Sequence, residues 1–176
     1  ESQRADKLTE ALTNFEEAEE VYRNLRRCAE DRGYFELAGT FFHREMVMNR
    51  NKKPLLSFAR LFSKFEDLVT GYGEKPSRVL RFAALLILCY ALAYFLVGIA
   101  GDGHEVMLDS ARTLSENLGD FGRCVYYSIV TFTTLGYGDF IPVKPLARFF
   151  AASEALIGAF SMSLFIVVFV RKRMRG

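Results

Sequence analysis

Charge is missing where a soluble protein rarely lacks it. Of the 176 residues 25% are charged, yet "FAALLILCYALAYFLVGIA", Phe82 to Ala100, contains no charged side chain. The later run "LARFFAASEALIGAFSMSLFIVVFV", Leu146 to Val170, contains only Arg148 and Glu154. Groups that serve catalysis and metal binding are also scarce. His43 and His104 stand apart, which leaves no metal-type cluster; an exposed His104 offers at most a proton sensor. Cys28, Cys89 and Cys124 are odd in number and lack ligand spacing, so they read as small apolar fillers. No nucleophile elbow or phosphate loop is present. Arginines repeating every third residue along a span, the mark of a voltage sensor, are absent too. Neither an enzyme, nor an organic cofactor, nor a nucleic-acid partner is expected.

What is present is a membrane pattern. An apolar helix of about 20 residues matches the roughly 30 Å hydrocarbon layer at 1.5 Å per residue. Both runs reach that length and neither sits at the N-terminus, so they predict two spans rather than a signal peptide. Buried core helices are the competing reading, but so short a chain has too little else to cover two of them. Lys75, Arg78 and Arg81 precede the first run, and "RKRMR", Arg171 to Arg175, follows the second. Acids, among them Asp102, predominate between Gly101 and Lys144. Positive flanks face the cytoplasm, so the expectation is a multi-pass protein of the plasma membrane with both termini cytoplasmic and an outward loop.

Residues 1–53 predict a cytosolic helical hairpin. Phe15, Ala18, Tyr22, Leu25 and Ala29 share one face of a helix starting near Asn14, with Asn14 and Glu17 placed for capping and Gly33 placed to end it. Phe35, Ala38, Phe42 and Met46 mark the second helix. Residues 54–77 predict an amphipathic helix opened by Pro54, with Leu55, Phe58, Phe62, Phe65 and Val69 toward one side. It either lies in the cytoplasmic interface or docks on the hairpin. Gly71-Tyr72-Gly73 then falls just beyond that helix and before Pro76, where a turn is wanted.

A second Gly-Tyr-Gly triplet sits between the spans. "DFGRCVYYSIVTFTT", Asp120 to Thr134, is too short to cross and suits a helix that dips in and returns, a re-entrant arrangement that needs protein or water around its non-helical end. "TTLGYGD", Thr133 to Asp139, resembles the selectivity filter of potassium channels. Tyr126-Tyr127, Ser128, Pro142, Arg148 and Gly158 also fall where two-span, pore-only potassium channels place comparable residues. The resemblance covers about residues 78–171. The chain from the third helix onward is more loosely similar to the channel module that follows pentapeptide repeats in some microbial proteins, although no repeat array is present.

This resemblance implies an all-α membrane protein with a re-entrant pore helix, tetrameric about a central pore. Its pore domain would span 78–171: outer helix 78–100, outer loop 101–119, pore helix 120–133, filter 134–139 and inner helix 146–170, before a basic cytosolic tail at 172–176. Four copies of Thr134, Leu135, Gly136, Tyr137 and Gly138 would supply the filter, with K⁺ held at Thr134 to Tyr137 by carbonyls and the Thr134 hydroxyl. Thr133, Asp139 and Glu154 would support it. Gly158 would be the gating hinge, and Met162, Ile166 and Val170 would line the inner pore and its gate.

The implied function is passive potassium conduction, gated by inner-helix movement under control of the N-terminal helices. Potassium ions, membrane lipids and three further copies of the chain are the partners, and bound K⁺ stands in place of a cofactor. A non-selective cation channel, and a membrane-anchored interaction protein with a vestigial pore, remain the alternatives. Two departures stand out. Leu135 replaces the usual valine, and Val130 occupies a position where some relatives place a glutamate that buttresses the filter through the acid at Asp139. Glu154, one turn before Gly158, either compensates by a hydrogen bond behind the filter or to the re-entrant helix, or is a neutral or interfacial carboxyl without special task.

Overall fold

The computed structural model describes the backbone of residues 2–101, 103–109 and 111–174; the side chains of residues 2–5, Leu8, His104 and Met174 are not described. The expectations for Asp102, Arg175 and the His104 side chain therefore lie outside the described residues. The chain is mostly helical: α1 Ser2–Asp31, α2 Phe35–Asn51, α3 Phe58–Thr70, α4 Pro76–Val97, α5 Leu114–Phe132 and α6 Pro145–Met174. Three short strands join them, β1 Ile99–Gly101, β2 His104–Val106 and β3 Phe140–Ile141. The chain divides into two compact units, one of Glu1–Arg78 with Val167–Gly176 and the other of Val79–Ile166.

In the first unit α1 begins far ahead of Asn14. The stretch before it contains good helix formers, Lys7, Glu10, Ala11 and Leu12, so Asn14 is interior and caps nothing. Gly33 ends the helix at φ +75°, with its N–H on Glu30 O (3.0 Å) and that of Tyr34 on Ala29 O (2.8 Å), a complete left-handed cap. α1 and α2 then pack through buried carboxylates as well as rings. Glu45 accepts from Arg23 Nε (3.1 Å) and Arg26 Nε (2.9 Å), Glu19 pairs with Arg23 (2.6 Å) and Lys52 (2.7 Å), and Tyr22 stacks on Phe41. Burying either carboxylate without those cations would cost several kcal/mol, of order 3–5.

α3 starts at Phe58, not Pro54. Pro54 to Ser57 form a turn closed by Ser57 N–H on Pro54 O (3.1 Å), and Ser57 holds the extended conformation of an N-cap. Its outward face is also not quite the expected one. Phe58, Leu61, Phe62, Phe65 and Leu68 are all more than half exposed, whereas Ser63, Val69 and Thr70 are buried. The polar side packs inward because Asp67 gathers three partners: Arg50 Nη1 (2.8 Å), His43 Nε2 (2.9 Å) and Arg78 Nη1 (2.6 Å). His43, isolated in sequence, is thus not isolated in space. Burial of Asp67 opposes its charge, but those donors outweigh it and hold the carboxyl at about 2.

The first Gly-Tyr-Gly triplet is pinned to this hub. Gly71, Tyr72 and Gly73 take three consecutive left-handed conformations, φ 58°, 57° and 79°. Tyr72 is buried, its hydroxyl 2.9 Å from Ser63 Oγ and accepting from Arg50 Nη1 (3.1 Å). It is a tight turn with an anchored ring.

In the second unit α4 and α6 are long and apolar enough to cross a bilayer. α4 exposes Leu85, Leu88, Leu92 and Leu96 on one face and buries Ala91, Tyr94 and Phe95 on the other. Those three join Ile99, Val106, Cys124, Tyr127 and Phe140 in one core. Cys124 therefore is a filler, while Cys28 and Cys89 are exposed and are not.

The segment between the spans differs from the sequence expectation in two ways. α5 begins at Leu114 rather than Asp120, because Thr113 and Glu116 form a reciprocal capping box: Thr113 Oγ1 accepts from Glu116 N–H (3.3 Å) and Glu116 Oε2 from Thr113 N–H (2.9 Å). The fold is also not purely helical. β1 pairs with β2, Ile99 opposite Val106, and with β3, Gly101 opposite Phe140, in an antiparallel sheet of order β2-β1-β3. Gly101 permits this, since a Cβ there would run into the Phe140 ring.

Candidate functional site

The helix α5 delivers the second triplet through an unusual cap. Thr134 takes φ +57°, with its N–H on Thr131 O (3.0 Å) and that of Leu135 on Val130 O (3.0 Å). This is the same left-handed cap that Gly33 gives α1, made here by a β-branched residue. A non-glycine residue in that region costs roughly 1–3 kcal/mol, and such outliers concentrate at functional sites. Glycine would cap α5 without that strain, which the threonine bears here.

From Thr134 the sign of φ alternates. It is positive at Thr134 (57°), Gly136 (59°) and Gly138 (78°), while Leu135 and Tyr137 are absent from the positive-φ residues. Alternating handedness turns successive peptide planes so that neighbouring carbonyls fall on one side and N–H groups on the other. The two triplets, identical in letters, therefore differ in backbone: the first coils, the second ribbons. They differ in environment as well, since Tyr72 is 4% exposed and Tyr137 67%.

Neighbouring side chains fix the ribbon at both ends. Thr133 Oγ1 donates to Ile129 O (2.7 Å), tying the last turn of α5. Asp139 is hydrogen-bonded by the Tyr126 hydroxyl of α5, and the Tyr126 ring meets Phe140 edge-on at 5.9 Å. Phe140 then enters β3, which pairs with β1 at the end of α4. Lys144 donates to Val97 O (2.8 Å) and pairs with Glu105, and Arg148 Nε donates to Pro142 O (3.1 Å), so the return to α6 is also tied.

Glu154 is fully buried and lies against α5 and α4, not in the ribbon itself. Tyr94 Oη donates to Glu154 Oε2 (2.6 Å), and Ser128 Oγ sits on Glu154 Oε1 and 2.9 Å from Ile87 O. The contact with Ser128 ties Glu154 to α5, the helix ahead of the triplet. Ser128 has one proton and two acceptors; a neutral Glu154 donating to Ser128 lets that proton go to Ile87 O and leaves every partner satisfied. Sequence reasoning does not single out Tyr94, and its only signal is a hydroxyl-bearing ring inside an apolar run.

Gly158 has a packing reason of its own. A Cβ there would overlap the Phe132 carbonyl oxygen at the end of α5, so α6 approaches the ribbon's base only through glycine. α6 continues as a single helix through it. Met162, Ile166 and Val170 are about half exposed along the same helix. Among the described residues no group of His, Cys, Asp and Glu is arranged to hold a metal ion.

The profile of a family described as "Ion channel" matches residues 82–174, which takes in both spans, α5 and the second triplet. The chain belongs to the ion channel family. That match, with the relative below, bears out the two-span potassium-channel family recognised in Thr133 to Asp139. One relative, a Rhodopseudomonas palustris protein provisionally named a potassium channel protein, is 26% identical over 110 residues, 62% of this chain. The chain spans 24% of that relative's length. No solved structure matches. Family membership and the two apolar helices make this a membrane protein, and the ion channel family is not an enzymatic one.

Proposed function

We propose that the protein is a potassium-selective channel subunit, conducting K⁺ passively through a filter built from four copies of Thr134 to Gly138. The observation that carries this reading is the alternating ribbon begun by a strained threonine. A potassium ion leaving water needs replacement oxygens, and aligned carbonyls plus the Thr134 hydroxyl are oxygens on one side of one chain. One chain offers one wall, so closed fourfold symmetry completes the ring. Exposure of Leu135 (58%) and Tyr137 (67%) on the single chain fits a segment that packs against neighbouring copies.

In this reading α4 and α6 cross the plasma membrane with both termini cytoplasmic, and α5 is the re-entrant pore helix. Its C-terminal end favours a cation below the filter. The exposed apolar face of α3, from Phe58 to Leu68, lies in the cytoplasmic interface among lipids. Met162, Ile166 and Val170 face the axis and close the pore by excluding water. The helices of residues 1–77 govern that closure.

The last turn of α6 supports such control. Arg171 stacks on the Phe42 ring of α2 at 5.4 Å and lies 3.8 Å from Glu74, within one compact unit. Purified protein reconstituted in potassium-loaded liposomes tests the proposal. Potassium efflux on imposing a gradient is the expected result, and impermeable vesicles would leave an interaction protein with a vestigial pore.

A further inference from the structure

A cavity of about 510 Å³ opens within the unit of residues 1–78 and 167–176, between α2, the turn before α4 and the last turn of α6. Its volume is that of a small-ligand site. Arg44 of α2, Lys75 of the turn and Lys172 of α6 line it, with Glu36 and Glu74 as the opposing charges.

Those charges do not cancel. Glu74 already faces Arg171 from the side (3.8 Å). Arg44 rests only on the Tyr22 ring, at 5.8 Å, and Lys75 and Lys172 have no ion-pair partner among the described residues. Three cations set against Glu36 leave two positive charges in excess. A phosphate monoester carries close to two negative charges at neutral pH and presents three acceptor oxygens. Arginine grips such a group with a planar fork and lysine as a point charge.

We propose that this cavity binds a dianionic phosphate group, carried by a soluble molecule or by a lipid headgroup. The bound group joins Arg44 of α2 to Lys172 of α6 and so restrains the C-terminal turn of the helix that carries Gly158. Binding does not depend on the channel reading; the effect on flux rests on it.

The full chain in phosphatidylcholine nanodiscs is titrated with inorganic pyrophosphate by calorimetry. In a parallel arm, thermal unfolding is followed as phosphatidic acid replaces part of the phosphatidylcholine. Lys75→Gln and Lys172→Gln, both at exposed positions, are compared with Lys64→Gln, an exposed lysine of α3 outside the cavity. Each cavity variant is expected to weaken the response about tenfold, the size of one lost charge-assisted hydrogen bond, while Lys64→Gln leaves it unchanged.

A pyrophosphate response sensitive to the cavity variants assigns a soluble ligand, and a phosphatidic-acid response alone assigns a lipid. No response in either arm, or equal loss in Lys64→Gln, overturns the site. Binding that leaves potassium flux unaltered overturns the link to α6. Absence of all flux from the unaltered chain would instead sink the channel reading and leave the binding result standing.

Discussion

Gly158 of α6 sits so close to the carbonyl oxygen of Phe132 that no side chain fits between them. The helix that lines the proposed pore thereby touches the base of the proposed filter through bare backbone. Gly158→Ala forces two backbones apart, and overpacking of this kind costs about 1–3 kcal/mol. The expected outcome is a lower unfolding temperature together with reduced flux. A glycine serving only as a hinge would change open probability and leave the unfolding temperature where it was.

Thr134 is held in a conformation that glycine adopts freely. Thr134→Gly should raise stability by about 1 kcal/mol by relieving the left-handed strain, while removing the hydroxyl and lowering potassium-over-sodium selectivity. Thr134→Ser should restore much of the selectivity. A glycine variant both less stable and equally selective would show that the threonine is not a strained ion ligand.

The Tyr94, Glu154 and Ser128 cluster distinguishes a neutral carboxyl from a charged one by substitution. Glu154→Gln keeps an acceptor for Tyr94 and gains an N–H for Ser128, so stability should change by less than about 1 kcal/mol. Glu154→Leu leaves the Tyr94 hydroxyl buried and unpaired, at about 1–3 kcal/mol, while Ser128 keeps Ile87 O. Denaturant unfolding of the two variants decides it. A glutamine variant as unstable as the leucine one contradicts the proton count.

Asp67 predicts an acid limb. Its folded-state value of about 2 lies below its unpaired value of 3.8, so its contribution is full above about pH 4 and is lost as pH falls toward 2. The depression corresponds to about 2 kcal/mol. Asp67→Asn should be less stable at neutral pH and show a flatter stability profile between pH 4 and 2. An unchanged slope would mean that Arg50, His43 and Arg78 do not hold the charge in solution.

Much of the second unit is legible in the letters, because a bilayer demands long charge-free runs and a ribbon of alternating handedness demands closely spaced glycines. Phe82 to Ala100 and Thr133 to Asp139 announce themselves for those reasons. What escapes is carried by short-range or three-dimensional signals. The start of α5 lies in Thr113 and Glu116, a capping pair that an apolarity scan passes over. The sheet pairs Gly101 with His104 across a short connection, inside the segment 101–119 that the sequence reads only as an outer loop. His43 finds Asp67 24 residues away, a pairing that no periodicity reveals. The identical Gly-Tyr-Gly triplets make the same point from the other side: neighbours decide whether the letters coil around Tyr72 or extend past Tyr137.

The most direct measurement is the reversal potential of reconstituted channels with potassium on one side of the bilayer and sodium on the other. A large shift toward the potassium equilibrium potential, lost or strongly reduced in a variant with Gly136 replaced by alanine, is the predicted result. A reversal near zero with the unaltered chain would contradict an ion cage made by Thr134 to Gly138.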